Sequence, residues 1–183
     1  MKKLSFLLLS SSIIFFSCGE DQIEVEKTAE FKKYTLTAED SIPAEPTRVK
    51  GIGHTGDYAF RTDSLNQYSA GAVEMLSDTL INSGIRVYVD FWVKTSNPIK
   101  GDGMALSFNS KDASVFWKTF DPIEYGAKAN EWINIKDSIT FNANQINQPG
   151  MFIKLFGFNA NKKAIMDFDD INITFKKVYT VME

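Results

Sequence analysis

Between Ile85 and Thr95 the chain alternates without a break. Ile85, Val87, Val89, Phe91 and Val93 are apolar, and Arg86, Tyr88, Asp90, Trp92 and Lys94 lie between them. A period of two is extended chain with one face on a core, whereas a helix would scatter those five apolar side chains around its axis. If Val89 and Phe91 fill a core, Trp92 points away from it, beside Tyr88, Asp90 and Lys94. Flat aromatic rings stack on the C–H face of a pyranose, and planar polar side chains take its hydroxyls. The chemistry on offer is recognition of a sugar. An exposed tryptophan flanked by charge calls for a partner; the alternative is that a loop or the N-terminal segment covers it. Phe116 and Trp117 are adjacent, so one of them faces out. From Met151 to Phe158 both faces are apolar. That strand is either central and covered twice, or it lends Lys154 and Phe156 to the same platform as Trp92 and Trp117.

Bond cleavage finds less material. A positioned acid, base or nucleophile is required, and the chain has a single histidine, His54, in a glycine-rich turn. A solvent-facing or structural histidine fits that setting, and no histidine cluster is available for zinc. No serine stands in a Gly-x-Ser-x-Gly elbow. The carboxylate pair Asp169-Asp170 would project to opposite faces of a strand and would not converge on one substrate atom. The chain reads as a binding protein rather than an enzyme.

The elements that must position these residues are strands. Phe31–Thr37, Tyr58–Thr62, Tyr68–Leu76, Met104–Phe108, Ser114–Phe120, Glu131–Phe141, Met151–Phe158 and Ala164–Val178 are rich in β-formers. Turns separate them: Ser41–Thr47 with Pro43 and Pro46, Gly51–Asp57, Asn97–Gly103, Asp121–Asn130 and Pro149-Gly150. No helical period of useful length is present. Many strands with regular turns indicate an all-β, antiparallel β-sandwich.

The start of the chain is of another kind. Lys2 and Lys3 precede an apolar run from Leu4 to Phe16, then Ser17-Cys18-Gly19, and Cys18 is the only cysteine. The run is too short to span a bilayer and reads as a secretory signal. It resembles a bacterial lipoprotein signal, with Phe15 and Phe16 departing from the commonest pattern before the cysteine. That likeness implies a signal peptide at 1–17, lipidation of Cys18 and a membrane held through acyl chains rather than a helix. The acidic Glu20-Asp21 is similar to the export signal for the outer membrane, so the implied location is the outer membrane, exposed at the cell surface. Residues 18–29, with Glu20, Asp21, Glu24 and Glu26, read as an acidic tether; the alternative is a first strand. The sandwich then occupies 30–183.

Composition agrees with one domain. Removing residues 1–17 leaves 166 residues, and losing Lys2 and Lys3 takes the formal charge from −3 to −5. Nucleic acid, which requires clustered Lys and Arg, is excluded. No internal disulfide is possible, so stability rests on a packed core, for which 44% hydrophobic and 13% aromatic residues suffice.

Three passages carry a resemblance over residues 30 to 178. They are Gly53-His54-Thr55-Gly56-Asp57-Tyr58-Ala59-Phe60, Val87 to Lys94, and Met166-Asp167-Phe168-Asp169-Asp170-Ile171-Asn172-Ile173. They resemble the first turn and strand, the long central strand and the closing strand of the jelly-roll carbohydrate-binding modules of the galactose-binding-like superfamily. The likeness implies a jelly-roll fold, and with the outward faces read above the expected glycan site is Tyr88, Asp90, Trp92, Lys94, Trp117, Lys154 and Phe156. The likeness makes Trp132 a structural residue at the sandwich edge. It also implies one structural calcium ion, with Asp169 or Asp170 and Asp57 or Asp40 as oxygen donors; ordinary solvated aspartates are the alternative. A partner protein docking on the same face is the second functional expectation.

Overall fold

The computed structural model describes residues 24–39 and 45–182, with side chains from 26 to 179 within those ranges. Cys18 and Asp40 lie outside the described residues. Among the described residues ten strands are present: β1 (Glu24–Leu36), β2 (Arg48–Lys50), β3 (Tyr58–Thr62), β4 (Tyr68–Met75), β5 (Gly84–Thr95), β6 (Gly103–Asn109), β7 (Ser114–Phe120), β8 (Trp132–Phe141), β9 (Phe152–Phe158) and β10 (Met166–Met182). Three single 3₁₀ turns, Asp78–Leu80, Pro122–Tyr125 and Ala143–Gln145, are the helical segments among the described residues. None of these is long and apolar enough to cross a membrane.

The strands form two antiparallel sheets. A six-stranded sheet runs β2-β3-β10-β5-β8, with β1 also paired to β10, and a four-stranded sheet runs β4-β9-β6-β7. Taking β3 to β10 as eight consecutive strands, one sheet reads first-eighth-third-sixth and the other second-seventh-fourth-fifth. That interleaving is the jelly roll. It brings strands distant in sequence side by side, so the central strand β5 sits between β8 and β10.

The alternation seen in β5 is reproduced in its burial. Ile85, Val87, Val89, Phe91 and Val93 are all 3% exposed or less, and the residues between them are half-buried. Phe60, Phe108, Phe120, Phe141, Phe168 and Phe175 complete a fully buried aromatic core between the sheets. Each such side chain contributes roughly 1.5–3 kcal/mol by leaving water. β1 corrects the expected tether: residues 24–29 are strand, paired with β10 from Glu24↔Met182 onward. Its charged sequence is that of a solvated edge strand, where lysine and glutamate are favoured. Tyr34 ties β1 to the opposite sheet, its hydroxyl donating to the Val73 carbonyl at 3.0 Å and to Glu74 at 2.7 Å.

Candidate functional site

The outer face of the six-stranded sheet holds a groove of about 690 Å³. Its floor follows from register. Thr174 of β10, Tyr88 of β5 and Ser138 of β8 stand opposite one another, with Lys33 of β1 beyond Thr174. In the next outward row Asn172, Asp90 and Lys136 stand opposite one another, with Thr35 beyond Asn172. Adjacent strands are about 4.8 Å apart, so the sheet lays out a lattice of hydroxyl, amide, carboxylate and ammonium groups around the Tyr88 ring.

These groups are held in place. Asp90 accepts from Asn134 Nδ2 at 2.8 Å and pairs with Lys136 Nζ at 2.9 Å. Partial burial pushes its carboxyl up, but the Asn134 hydrogen bond and the Lys136 charge outweigh that, and it is held below the ordinary carboxylate value. Asn172 accepts from Thr35 Oγ1 at 3.0 Å and donates to the Asp170 carbonyl at 3.1 Å. The Lys176 ammonium sits 5.1 Å from the Tyr88 ring centre.

Trp92 lies next along β5, and it is outward but not open. The His54 imidazole stacks on it at 3.8 Å with 16° between the planes. Trp132 approaches the imidazole edge-on at 5.5 Å. The loop carrying His54 is clamped by the two aspartates of β10. Asp169 Oδ2 accepts from the backbone N–H of His54 and Thr55 at 3.0 and 3.1 Å. Asp170 Oδ2 lies 3.0 Å from His54 Nδ1 and accepts from Thr55 Oγ1 at 2.6 Å. Both carboxylates reach one loop because the strand is bulged between Asp169 and Asn172, with Asp170 at φ 49°. The alternation that would separate the pair is interrupted there. Lys94 is likewise committed, 3.4 Å from Asp167 and 4.9 Å from the Trp132 ring centre.

The seven residues expected to share one platform therefore divide. Tyr88 and Asp90 line the groove, while Trp92 lies under the His54 ring and Lys94 lies farther along β5 against Asp167 and Trp132. Trp117 of β7 and Lys154 and Phe156 of β9 belong to the four-stranded sheet and face out from the other side of the sandwich. A single sequence contains no signal for which sheet a strand joins. Lys33, Lys136, Ser138, Asn172 and Thr174 were not foreseen in the groove. Alternation along β8 and β10 marks four of them as outward, but only the register brings them to Tyr88 and Asp90.

Of the expected calcium donors, Asp40 lies outside the described residues. Asp169 and Asp170 give their oxygens to the His54–Thr55 loop, and Asp57 lies in the turn beyond it without joining them. Among the described residues, no three His, Cys, Asp or Glu side chains are placed to hold a metal ion.

Comparison with known families finds no matching profile, and no curated protein matches the chain. Solved structures share a general likeness. A family 16 carbohydrate-binding module is 16% identical, with a TM-score of 0.44 over 75% of this chain and 94% of its own. The CBM22-2 xylan-binding domain of Xyn10C from Paenibacillus barcinonensis is 18% identical, with a TM-score of 0.40 over 69% of this chain and 84% of its own. A cyclase from Fischerella sp. TAU is 13% identical, with a TM-score of 0.38 over 81% of this chain and 88% of its own. At these values the likeness assigns neither a family nor a ligand, and the jelly roll rests on the strand order itself.

Proposed function

We propose that this chain binds a glycan without cleaving it, in the groove across β1, β10, β5 and β8, on a protein held at the outer-membrane surface through a lipid on Cys18. The observation that carries the reading is the register that surrounds the Tyr88 ring with Thr174, Ser138, Asn172, Asp90 and Lys136. One aromatic ring supplies contact area, and the polar row supplies donors and acceptors for hydroxyls. The groove's volume lies within the range usual for ligand pockets.

The carboxylates support binding over hydrolysis. A glycosidase needs one carboxyl held protonated as the general acid. Asp90 and Asp137 both line the groove, and both are held below the ordinary carboxylate value. For Asp137, burial pushes upward but is outweighed by the Tyr125 hydroxyl at 2.5 Å, the Ser138 N–H and the Lys118 ammonium at 3.2 Å. Neither is a proton donor at neutral pH.

The test is a glycan array probed with the full chain, followed by affinity measurement for Tyr88→Ala and Asp90→Ala on whichever glycan is retained. Each variant is expected to weaken binding by about tenfold or more, with no new reducing ends released by the parent. Retention unchanged in both variants would remove the groove from the site. A stoichiometric protein complex on this face, with no glycan retained, would favour docking of a partner instead.

A further inference from the structure

The outer face of the four-stranded sheet gathers several exposed apolar side chains. Tyr68, Val73, Met75 and Trp117 are 55%, 51%, 59% and 46% exposed. Phe156 and Phe158 lie between Tyr68 and Trp117, with ring centres 5.2–5.7 Å apart across those contacts. At one end the face dips into a groove of about 450 Å³ lined by Val73, Met75, Gly150, Phe152, Lys111 and Lys154. Exposed apolar area of this extent marks a binding surface.

Its polar groups decide what it binds. Ser107 donates to Asn109 Oδ1 at 2.9 Å, Asn109 donates to the Ser107 carbonyl at 3.0 Å, and Trp117 Nε1 donates to Thr119 Oγ1 at 3.2 Å. The backbone beneath is spent on the sheet. Three hydrogen-bonding side chains of the face, Ser107, Asn109 and Trp117, are thus engaged with the face itself, and Tyr68 adds one exposed hydroxyl. A glycan would find few partners for its many hydroxyls here, and a protein interface wants about one hydrogen bond per 100–200 Å². Two ammonium groups border the face, that of Lys154 lying 5.0 Å from the Phe152 ring centre. Lys111 and Lys154 line the apolar groove, and among the described residues neither forms an ion pair; Asp112, in the same turn as Lys111, pairs with neither. No carboxylate occupies an outward position on these four strands. A second copy presenting the same face would therefore offer these lysines no acid from those strands.

We propose that this face binds a free single-chain anionic amphiphile, a fatty-acid carboxylate, with its hydrocarbon along Val73, Met75 and Phe152 and its carboxylate between Lys154 and Lys111. An unbranched chain asks for no hydrogen bonds along its length, and its one anion meets the two cations that the fold leaves without an acid. The site is on the opposite sheet from the glycan groove and stands whether or not that reading holds.

Calorimetric titration of the full chain with dodecanoate below its micelle concentration, and in parallel with dodecyltrimethylammonium, tests this. Dodecanoate is expected to saturate one site, with the cationic amphiphile at least about tenfold weaker. Lys154→Gln should weaken dodecanoate by about tenfold. Val73→Asp, a change at an exposed position, should abolish binding while the melting temperature is kept. Equal affinity for the two amphiphiles, or dodecanoate binding undiminished in the Lys154→Gln, Lys111→Gln double variant, overturns the proposal. Association confined to anionic phosphatidylglycerol vesicles would give the face to a bilayer. A dimer abolished by Val73→Asp would give it to a second copy. Either result also overturns the proposal.

Discussion

Asp90 shows how a single carboxylate is fixed for recognition. Asn134 and Lys136 reach it from β8, and together they outweigh the cost of its partial burial. An acid whose native pKa is depressed stays ionised until the pH falls below its ordinary range, and its stabilising contribution is present above the unfolded value and lost only below it. Glycan affinity is therefore expected to stay flat from pH 7 to about 5 and to fall only below roughly pH 4. An Asp90→Asn variant would lack that fall. Affinity measured across this range, with the folded fraction followed by circular dichroism, checks the point. A midpoint near pH 6 would mean that another group controls binding. Trp92 teaches the converse. Its outward direction follows from alternation with Val93 and Phe91, yet the His54 ring occupies its face. Local pattern sets where a side chain points, while a loop some forty residues away decides whether that direction is open.

At the level of strands, close approach is purchased with glycine at one position in particular. Gly71 faces Phe156 across the β4–β9 ladder, beside a register shift, and a Cβ there would lie 1.8 Å from the Leu155 carbonyl oxygen. Gly71→Ala must push the two strands apart, at a cost of about 1–3 kcal/mol. That corresponds to a melting temperature lower by about 2–12 °C for a domain of this size. Dodecanoate affinity should fall with it, since β4 and β9 form the walls of the apolar groove. An unchanged melting temperature would show that the strands are not held so closely. Most of the strands were legible as β-rich runs between turn residues, with β5 the clearest by its period of two, while β2 and the first half of β1 were not. What escaped was whatever depends on the neighbour. The bulge at Asp170 turns Asp169 and Asp170 toward one loop, although their sequence spacing sets them on opposite faces. Tyr88 and Asp90 were visible as candidates, but Asn172 and Lys136 join them only through register. Trp117, Lys154 and Phe156 were grouped with Trp92 because exposed aromatics look alike in a sequence, whichever sheet they sit on.

For the molecule as a whole, two sheets share one phenylalanine-rich core while their outer faces differ in kind. The six-stranded sheet presents a polar lattice, and the four-stranded sheet presents rings and hydrocarbon with two ammonium groups. β1 belongs to this body rather than to a leash. Its first half pairs with the last residues of β10, and Arg86 of β5 reaches Glu26 at 2.7 Å. Removing residues 1–30 is expected to cost about 2 kcal/mol, a melting temperature lower by about 4–8 °C, while the groove residues stay in place. Calorimetric scanning of the shortened chain measures this, and an unchanged transition would return residues 24–30 to the role of a spacer. The β1–β10 ladder has a mechanical consequence. A protein tethered through Cys18 while its ligand is dragged away would load β1 lengthwise from Glu24. The twelve paired positions from Glu24↔Met182 to Leu36↔Ile171 would then resist in shear, sharing the tension along the ladder, rather than peeling apart one rung at a time.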